Sequence, residues 1–286
     1  MPVLDAKGIS LYYEESGKGE PVVFTHGALC DYAVWKAQTD ALATEYRTLA
    51  YSRRYAHPNE RQGDTMDSTV QNNAEDLGSF IDGLGLGKVH LVGHSYGGFI
   101  AAYFAINHPD KLRSLTLANA AVATLLLPKP SAAASLSLLF KSPSVALSAR
   151  RLVNATKATV EAVDGGDATA PSRMWLPALL NGRTDLPPKP QWFEQMVTRN
   201  ARALRETTTS FPPVTMAEVK RIQVPTLVIW GALSAPWDLR VSEMLAQSIP
   251  GSESVVMPGT GHFFFVEDHA AANEKLLGFL RRHHAG

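Results

Sequence analysis

A serine framed by glycines is the feature that most constrains this chain. Ser95 lies in Leu91-Val92-Gly93-His94-Ser95-Tyr96-Gly97-Gly98, which follows an apolar stretch and leads into an Ala-rich one. A strand that turns straight into a helix forces the residue at the turn into a strained backbone conformation, and the residues two positions away must lack bulk. The pattern predicts Ser95 as a nucleophile, against the alternative of a structural glycine turn whose serine caps a helix.

The segments on either side of Ser95 support the first interpretation. Val89-His90-Leu91-Val92 is typical of a short buried strand. Phe99 to Ala105 is typical of a helix packed against a sheet, which ends near Asn107 and Pro109.

An upstream segment has the pattern of an oxyanion loop. Pro21-Val22-Val23-Phe24 predicts a buried strand that leads into Thr25-His26-Gly27-Ala28-Leu29. A tetrahedral intermediate needs two preorganised N–H donors, one from the residue after the nucleophile and one from such a loop. We therefore expect the N–H groups of Ala28 and Tyr96 to form an oxyanion hole, the alternative being a simple tight turn at His26-Gly27.

A histidine near the C-terminus is the candidate general base. Ser254-Val255-Val256-Met257 predicts a strand, and Pro258-Gly259-Thr260-Gly261-His262-Phe263 follows it. A histidine on a glycine-flanked loop just past a late strand can reach a serine at the same edge of the sheet. A lone histidine is more often a surface or core residue, but the position and chain order favour a catalytic His262.

Together these three segments resemble the α/β-hydrolase superfamily, and the resemblance covers nearly the whole chain. It implies an α/β fold: a mostly parallel sheet with helices on both faces and an inserted helical cap. Sites in such sheets lie at the carboxyl ends of the strands, which all three segments follow. The other predicted elements are a hairpin (Val3 to Asp5 and Ile9 to Glu14), strands Tyr46 to Tyr51, Arg113 to Ala118 and Pro225 to Gly231, and a helix Thr69 to Leu84.

The alternation of strands and helices stops between residues 121 and 213. We expect residues 1–120 and 214–286 to form the core and residues 121–213 a helical cap, or lid. Its predicted helices lie near Ala132 to Phe140, Ser144 to Ala162 and Gln191 to Thr207, and its prolines include Pro128 and Pro130. Large apolar residues of the cap either line an apolar substrate pocket or only pack the cap on the core: Leu125 to Leu127, Leu136, Leu138, Leu139, Phe140, Met174, Trp175, Trp192, Phe193 and Met196.

The resemblance implies an acid that orients the histidine, and its usual positions here hold no carboxylate. The acid commonly follows the strand Leu227 to Trp230 in a Gly-x-x-Asp pattern, where this chain has Gly231-Ala232-Leu233-Ser234. Some members place it after the preceding strand, where this chain has Asn119. Tyr51 to Asn59 is similar to a bacterial subgroup in which a glutamate is expected at that position.

Three explanations for the missing acid stay open. Asp238 could turn toward His262, although support of the first turn of the next helix is the more favoured role. Asn119 could orient the imidazole as a neutral hydrogen-bond partner, and we include it with Ser95 and His262 among the candidate catalytic residues. The reaction could also be one that needs no strongly activated serine.

Composition excludes several other classes of function. The 286 residues are 45% hydrophobic and 19% charged, with zero net charge, so nothing indicates a nucleic-acid or anionic membrane partner. A single cysteine, Cys30, excludes a disulfide within the chain and a Cys-rich metal site. No signal peptide or membrane-spanning run is apparent, so a soluble cytoplasmic protein is the expectation. No cofactor is implied, since no G-x-G-x-x-G follows the first long strand. Assembly into a homo-oligomer stays open.

Three functions remain open. The first is a hydrolase of an ester, lactone or related acyl bond in a largely apolar small molecule. The second is a lyase or cyclase on the same scaffold with His262 as base, and the third is a ligand-binding protein without catalysis. Epoxide hydrolysis and dehalogenation are disfavoured because those enzymes need a carboxylate where this chain has Ser95. Arg53 and Arg54 could contact a substrate carboxylate, but a surface or structural role is more common and we assign them none.

Overall fold

A single sheet organises the chain, as seen in a computed structural model that describes residues 2–59, 67–127, 131–206 and 211–284. Within these residues the sheet has eight strands in the order β1-β2-β4-β3-β5-β6-β7-β8. The strands are β1 (Val3–Ala6), β2 (Ile9–Ser16), β3 (Pro21–Thr25), β4 (Arg47–Tyr51), β5 (Val89–His94), β6 (Leu112–Ala118), β7 (Thr226–Gly231) and β8 (Glu253–Met257).

The sheet is mostly parallel, as the sequence predicts. Strands β1 and β2 form an antiparallel hairpin, β2 pairs antiparallel with β4, and all pairs from β4 through β3 to β8 are parallel. Every residue of β5 and β7 is buried. Because successive side chains of a strand point to opposite faces, both faces of the sheet are covered there. The predicted α/β fold is therefore confirmed.

Helices connect the parallel strands. The described helices are α1 (Lys36–Leu42), α2 (Val70–Gly83), α3 (Tyr96–Asn107), α4 (Ala132–Lys141), α5 (Pro143–Asp164), α6 (Leu176–Leu179), α7 (Gln191–Arg199), α8 (Ala203–Glu206), α9 (Met216–Val219), α10 (Pro236–Ser248), α11 (Phe264–Glu267) and α12 (His269–Arg282). The predicted helix over Thr69 to Leu84 corresponds to α2, where Thr69 is the N-cap and its hydroxyl accepts from the Asn72 N–H. Such a cap contributes about 1 kcal/mol.

Helix α3, which follows Ser95, lies at the centre of the core. Ten of its twelve residues are buried, including Phe99, Ile100 and Phe104, which are fully enclosed. A helix that is apolar all round is stable only when it is covered on every side. Each large apolar side chain so buried contributes about 1.5–3 kcal/mol. The start of α3, and with it Ser95, is therefore held rigidly.

The described secondary-structure elements between residues 121 and 213 are helices, joined by turns and loops. Helices α4 and α5 match the first two predicted cap helices closely. The third was predicted to run from Gln191 to Thr207, which is wrong: α7 ends at Arg199, and Thr207 lies outside the described residues, as do Pro128 and Pro130. Helix α7 stops because the side chain of Asn200 turns back, donating to the Met196 carbonyl at 2.9 Å and to Asp31 at 2.8 Å.

No described helix combines the length and the apolar character needed to cross a bilayer.

Candidate active site

Ser95 occupies the sharp turn between β5 and α3. Its backbone has φ 53° and ψ −119°, a conformation that costs a non-glycine residue on the order of 1–3 kcal/mol. The turn is held by main-chain bonds, since the Ser95 N–H donates to Ala118 O at 3.1 Å and the Ser95 carbonyl accepts from Ala121 N at 2.9 Å. A Cβ on Gly93 would lie 2.6 Å from Gly97 O, so the glycine is required there. The strained turn inferred from the sequence is present.

The loop after β3 packs directly against this turn. A Cβ on Gly97 would lie 2.5 Å from His26 O, and a Cβ on Gly27 would lie 3.0 Å from Ser95 Cβ. The absence of these two side chains brings the main chain of the loop beside the serine. Among the described residues, the Ala28 N–H donates to no acceptor. Tyr96, which follows Ser95, is the first residue of α3.

The side chain of His94 connects the turn to the loop that carries His262. Its Nε2 donates to the His262 carbonyl at 3.0 Å, since a carbonyl only accepts. The two imidazole rings have centroids 4.8 Å apart. His262 therefore lies beside the residue that precedes Ser95. The loop is further held by Glu267, whose carboxylate accepts from the Gly261 N–H at 2.6 Å.

A carboxylate contacts His262, although neither of the usual positions provides one. Asp238 Oδ2 lies 2.6 Å from His262 Nδ1, and both side chains are 1% exposed. Asp238 is also in the first turn of α10. The expectation that support of this turn is its more favoured role is corrected, because the carboxylate reaches the imidazole from that turn. The acid lies four residues after Ser234, the residue in the usual position.

Among the described residues, Asn119 makes no hydrogen bond to the imidazole, so the alternative in which it orients His262 directly is wrong. Its Nδ2 instead donates to Asp238 Oδ2 at 2.8 Å and to Ser234 Oγ at 2.9 Å. Its Oδ1 accepts from the Gly231 N–H at 3.1 Å. A fully buried amide at the end of β6 thus holds the displaced carboxylate and the end of β7. Asn119 therefore acts on the imidazole only indirectly, through Asp238.

The second imidazole nitrogen is available for proton transfer. His262 Nε2 is buried and has no hydrogen-bond partner within the described ranges. It therefore makes no hydrogen bond to Ser95 in this structure. Contacts of this kind are often long before substrate binds and shorten in the complex. Because Nδ1 faces a carboxylate, Nδ1 carries the hydrogen and Nε2 has the free lone pair.

An apolar cavity opens onto Ser95. Its volume is about 440 Å³, and Trp175 on its wall is fixed by an Nε1–H bond to Thr156 Oγ1 at 3.0 Å. Residues of the core and of the helical segment share the wall: Ala28, Ser95, Tyr96, Ala121, Ala123, Leu126, Leu127, Leu138, Ala149, Leu152, Val153, Thr156, Lys157, Trp175, Leu179, Leu204, Phe211 and Trp237. With few polar groups in reach, the cavity suits a largely apolar molecule.

Only some of the predicted pocket residues line the cavity. Four line this cavity: Leu126, Leu127, Leu138 and Trp175. Three are exposed instead: Leu136, Leu139 and Phe140. Leu125, Phe193 and Met196 are buried in the core, Trp192 lies on a separate outer groove, and Met174 does not reach the cavity. Helix α4 carries residues of both kinds, because Leu138 faces the cavity while Leu136, Leu139 and Phe140 on the same helix are exposed.

Arg53 and Arg54 are both buried, and neither lines the cavity. Arg54 pairs with Asp76 through two hydrogen bonds of 2.7 Å and with Asp67 at 2.9 Å. Arg53 faces the other way, toward the loop after β3. The structure therefore favours structural roles over contact with a substrate carboxylate.

Two buried histidines near the site are held neutral. Burial, with the positive charge of Arg53, lowers the pKa of His26 well below its usual value. Burial, with the neighbouring His262, likewise lowers the pKa of His94. Of these three imidazoles, only that of His262 faces a buried carboxylate among the described residues.

The sequence patterns ranked the contact of Asp238 with His262 too low and gave no indication of the contact between His94 and the His262 loop. The available signal was an acid four residues after Ser234, in a segment where Pro236 starts a helix. Asp238 then falls in the first turn of that helix, four residues after Ser234. No signal in the sequence indicates that His94 contacts the His262 loop, since the contact joins residues 168 positions apart.

Comparison with known proteins agrees with this architecture. A sequence model of the family described as alpha/beta hydrolase fold matches residues 20–269. A 2-hydroxy-6-oxononadienedioate/2-hydroxy-6-oxononatrienedioate hydrolase of Burkholderia vietnamiensis is 26% identical, over 98% of this chain and 94% of that protein. A 3-oxoadipate enol-lactonase of Acinetobacter baylyi is 30% identical over 40% of this chain, and the match spans less than half of the lactonase, 42%.

A solved structure extends the likeness to the whole fold. An esterase from Exiguobacterium antarcticum superposes with a TM-score of 0.73 over 96% of each chain. The two sequences are 21% identical, so this likeness concerns the fold.

Proposed function

We propose, from the premise that this chain belongs to the alpha/beta hydrolase fold family, that it is a serine hydrolase of an ester, lactone or related acyl bond in a largely apolar small molecule. The observation that carries the proposal is the contact between the Asp238 carboxylate and His262 Nδ1 at 2.6 Å. A serine is a strong nucleophile only beside a base that a third group orients. Relatives named as an esterase, a lactonase and a dienedioate hydrolase support the reaction class.

Ser95, His262 and Asp238 would act in sequence. Ser95 Oγ attacks the acyl carbon while its proton passes to His262 Nε2, and Asp238 stabilises the resulting imidazolium. The carbonyl oxygen takes up the negative charge and accepts from the N–H groups of Ala28 and Tyr96. The intermediate then expels the alcohol, which takes the proton from Nε2. Water attacks the acyl-serine with His262 again as base, releasing the acid and restoring the Ser95 hydroxyl.

The cavity supports an apolar substrate. Its wall is formed mainly by aliphatic and aromatic side chains, and Ser95 lies on that wall. The two alternative functions, a lyase or cyclase and a binding protein, were considered because no acid was expected near His262. The contact of Asp238 with His262 removes that reason. We therefore assign Ser95 the role of nucleophile in acyl transfer.

Covalent labelling tests the proposal directly. A fluorophosphonate probe is expected to label the wild-type chain at Ser95, and p-nitrophenyl esters of four to eight carbons are expected to be hydrolysed. Ser95→Ala should lose both, while Ser234→Ala, a change at a nearby buried hydroxyl, should keep labelling. Turnover of a substrate that survives Ser95→Ala would favour a lyase or cyclase. Binding of an apolar ligand without labelling or turnover would favour a binding protein.

A further inference from the structure

Arg53 lies directly beneath the proposed oxyanion loop. Its side chain is 2% exposed, and its Nε donates to the His26 carbonyl at 3.0 Å while Nη2 donates to the Gly27 carbonyl at 3.2 Å. The guanidinium also lies 4.9 Å from the ring centre of Tyr96. One buried cation thus contacts both segments that supply the proposed N–H donors.

The Gly27 carbonyl and the Ala28 N–H belong to the same peptide group. The carbonyl accepts from Arg53 and also from His26 Nδ1 at 2.9 Å. The tautomer of His26 follows from its other nitrogen, because Nε2 accepts from the Arg53 N–H at 2.9 Å and Nδ1 must then carry the hydrogen. Hydrogen bonds to a carbonyl polarise the peptide and make its N–H a stronger donor. The Ala28 N–H is the donor so strengthened.

We propose that Arg53 is a positioning residue that strengthens and orients the oxyanion hole through the Gly27–Ala28 peptide and the Tyr96 ring. The inference rests on the proposed acyl-transfer function of Ser95. Arg53 touches no substrate; it acts through the peptide group whose N–H does. Because the negative charge forms only in the transition state, the effect belongs to kcat rather than to substrate binding.

The charge of Arg53 is permanent in this setting. A guanidinium stays protonated far above neutral pH. His26 stays neutral, since burial and the adjacent guanidinium lower the pKa of its imidazole. The loop therefore carries a single fixed positive charge, supplied by Arg53, beside the site where an oxyanion develops.

Arg53→Gln tests the inference, with Arg54→Gln as the matched control. The control removes the neighbouring buried arginine, whose side-chain hydrogen bonds within the described residues go to Asp67, Asn72 and Asp76 and not to the loop. For a p-nitrophenyl ester we expect Arg53→Gln to lower kcat about 10–100-fold with KM within threefold, less than the loss of an oxyanion donor itself. Arg53→Lys, which keeps a charge but reaches fewer carbonyls, should recover part of kcat. Arg54→Gln should keep kcat within threefold.

A second readout separates this role from simple support of the fold. An aryl trifluoromethyl ketone forms a tetrahedral adduct with an active serine and places an oxyanion in the hole, whereas the methyl ketone of the same shape binds mainly by its apolar part. Arg53→Gln should weaken the trifluoromethyl ketone by the same factor as kcat and leave the methyl ketone unchanged. An equal loss for both ketones would indicate structural support and overturn the inference.

The outcomes distinguish this inference from the function on which it rests. Unchanged kcat and ketone affinity in Arg53→Gln, with Ser95→Ala inactive, would overturn the inference and leave the hydrolase proposal standing. If Arg53→Gln does not fold, Arg53→Lys decides, and full kcat in that variant overturns the inference. A wild-type chain that reacts with neither the fluorophosphonate nor the esters would refute both.

Discussion

Exchange of Asp238 for asparagine perturbs the site with the smallest change in shape. The variant removes the negative charge beside His262 and keeps the size of the side chain. Asp238 Oδ2 accepts from Asn119 Nδ2 at 2.8 Å and faces His262 Nδ1 at 2.6 Å. An asparagine at 238 must place its carbonyl oxygen there, because its amino group would face the amino group of Asn119.

The expected loss follows from that constraint. The carbonyl oxygen still accepts from Nδ1–H, so His262 keeps the tautomer with a free lone pair on Nε2. What is lost is the attraction between a carboxylate and the imidazolium, about 4 kcal/mol for unit charges about 4 Å apart at an effective dielectric constant of about 20. Since about 1.4 kcal/mol corresponds to a factor of ten in rate, kcat should fall about a thousandfold.

Releasing the constraint should deepen the loss. In Asp238→Asn combined with Asn119→Leu, the amide at 238 can turn and donate to Nδ1, which traps the wrong tautomer. In serine proteases the trapped tautomer lowers turnover about ten-thousandfold. We therefore expect the double variant to lose about ten times more activity than Asp238→Asn alone. Asn119→Leu by itself keeps the carboxylate and should lose less than either.

Steady-state hydrolysis of a p-nitrophenyl ester measures these differences, with thermal unfolding to verify that each variant is folded. Activity of Asp238→Asn within tenfold of the wild type would contradict the assignment of Asp238 as the acid. Equal activity in the single and double variants would contradict the argument that Asn119 selects the tautomer. Ser234→Ala serves as the control, since Ser234 contacts Asn119 but makes no hydrogen bond to Asp238.

Three further outcomes are expected. Gly27→Ala places a Cβ 2.9 Å from His94 Nδ1 and should lower kcat at least tenfold in the ester assay. Unchanged kcat would show that activity does not depend on close packing of the loop after β3 against the Ser95 turn. Because burial lowers the pKa of His26 and His94, the unfolded chain binds more protons than the folded chain at acidic pH. The free energy of unfolding should therefore fall as pH drops below about 6.5, by up to about 1.4 kcal/mol per pH unit for each histidine. Urea titrations from pH 7 to 5 measure this slope, and His94→Gln should reduce it. Leu138→Trp fills part of the 440 Å³ cavity and should lower kcat/KM for an octanoate ester at least tenfold more than for an acetate ester. Leu136→Trp, at a position 53% exposed on the same helix, should change kcat/KM equally for the two esters.

The sequence by itself determined the sheet and the three segments at its edge. Glycines at 93 and 97, an apolar strand before Ser95 and an apolar helix after it leave few alternatives, because each is a local steric or burial requirement. The loop after β3 and the one that carries His262 were found in the same way. Helix ends were predicted less well, as α7 shows, because a side chain bonded to a distant residue ended it.

Only the tertiary structure decided which groups face the imidazole. Asp238 is four positions past the expected place, and Asn119, which donates to its carboxylate, is 119 positions earlier in the chain. Their contacts depend on where α10 begins and on how the ends of β6 and β7 meet, to within the length of a hydrogen bond. Arg53 likewise contacts the loop after β3 only because folding places its guanidinium beside the carbonyls of His26 and Gly27. Local patterns set which segments form, whereas hydrogen bonds between distant segments set what their side chains do.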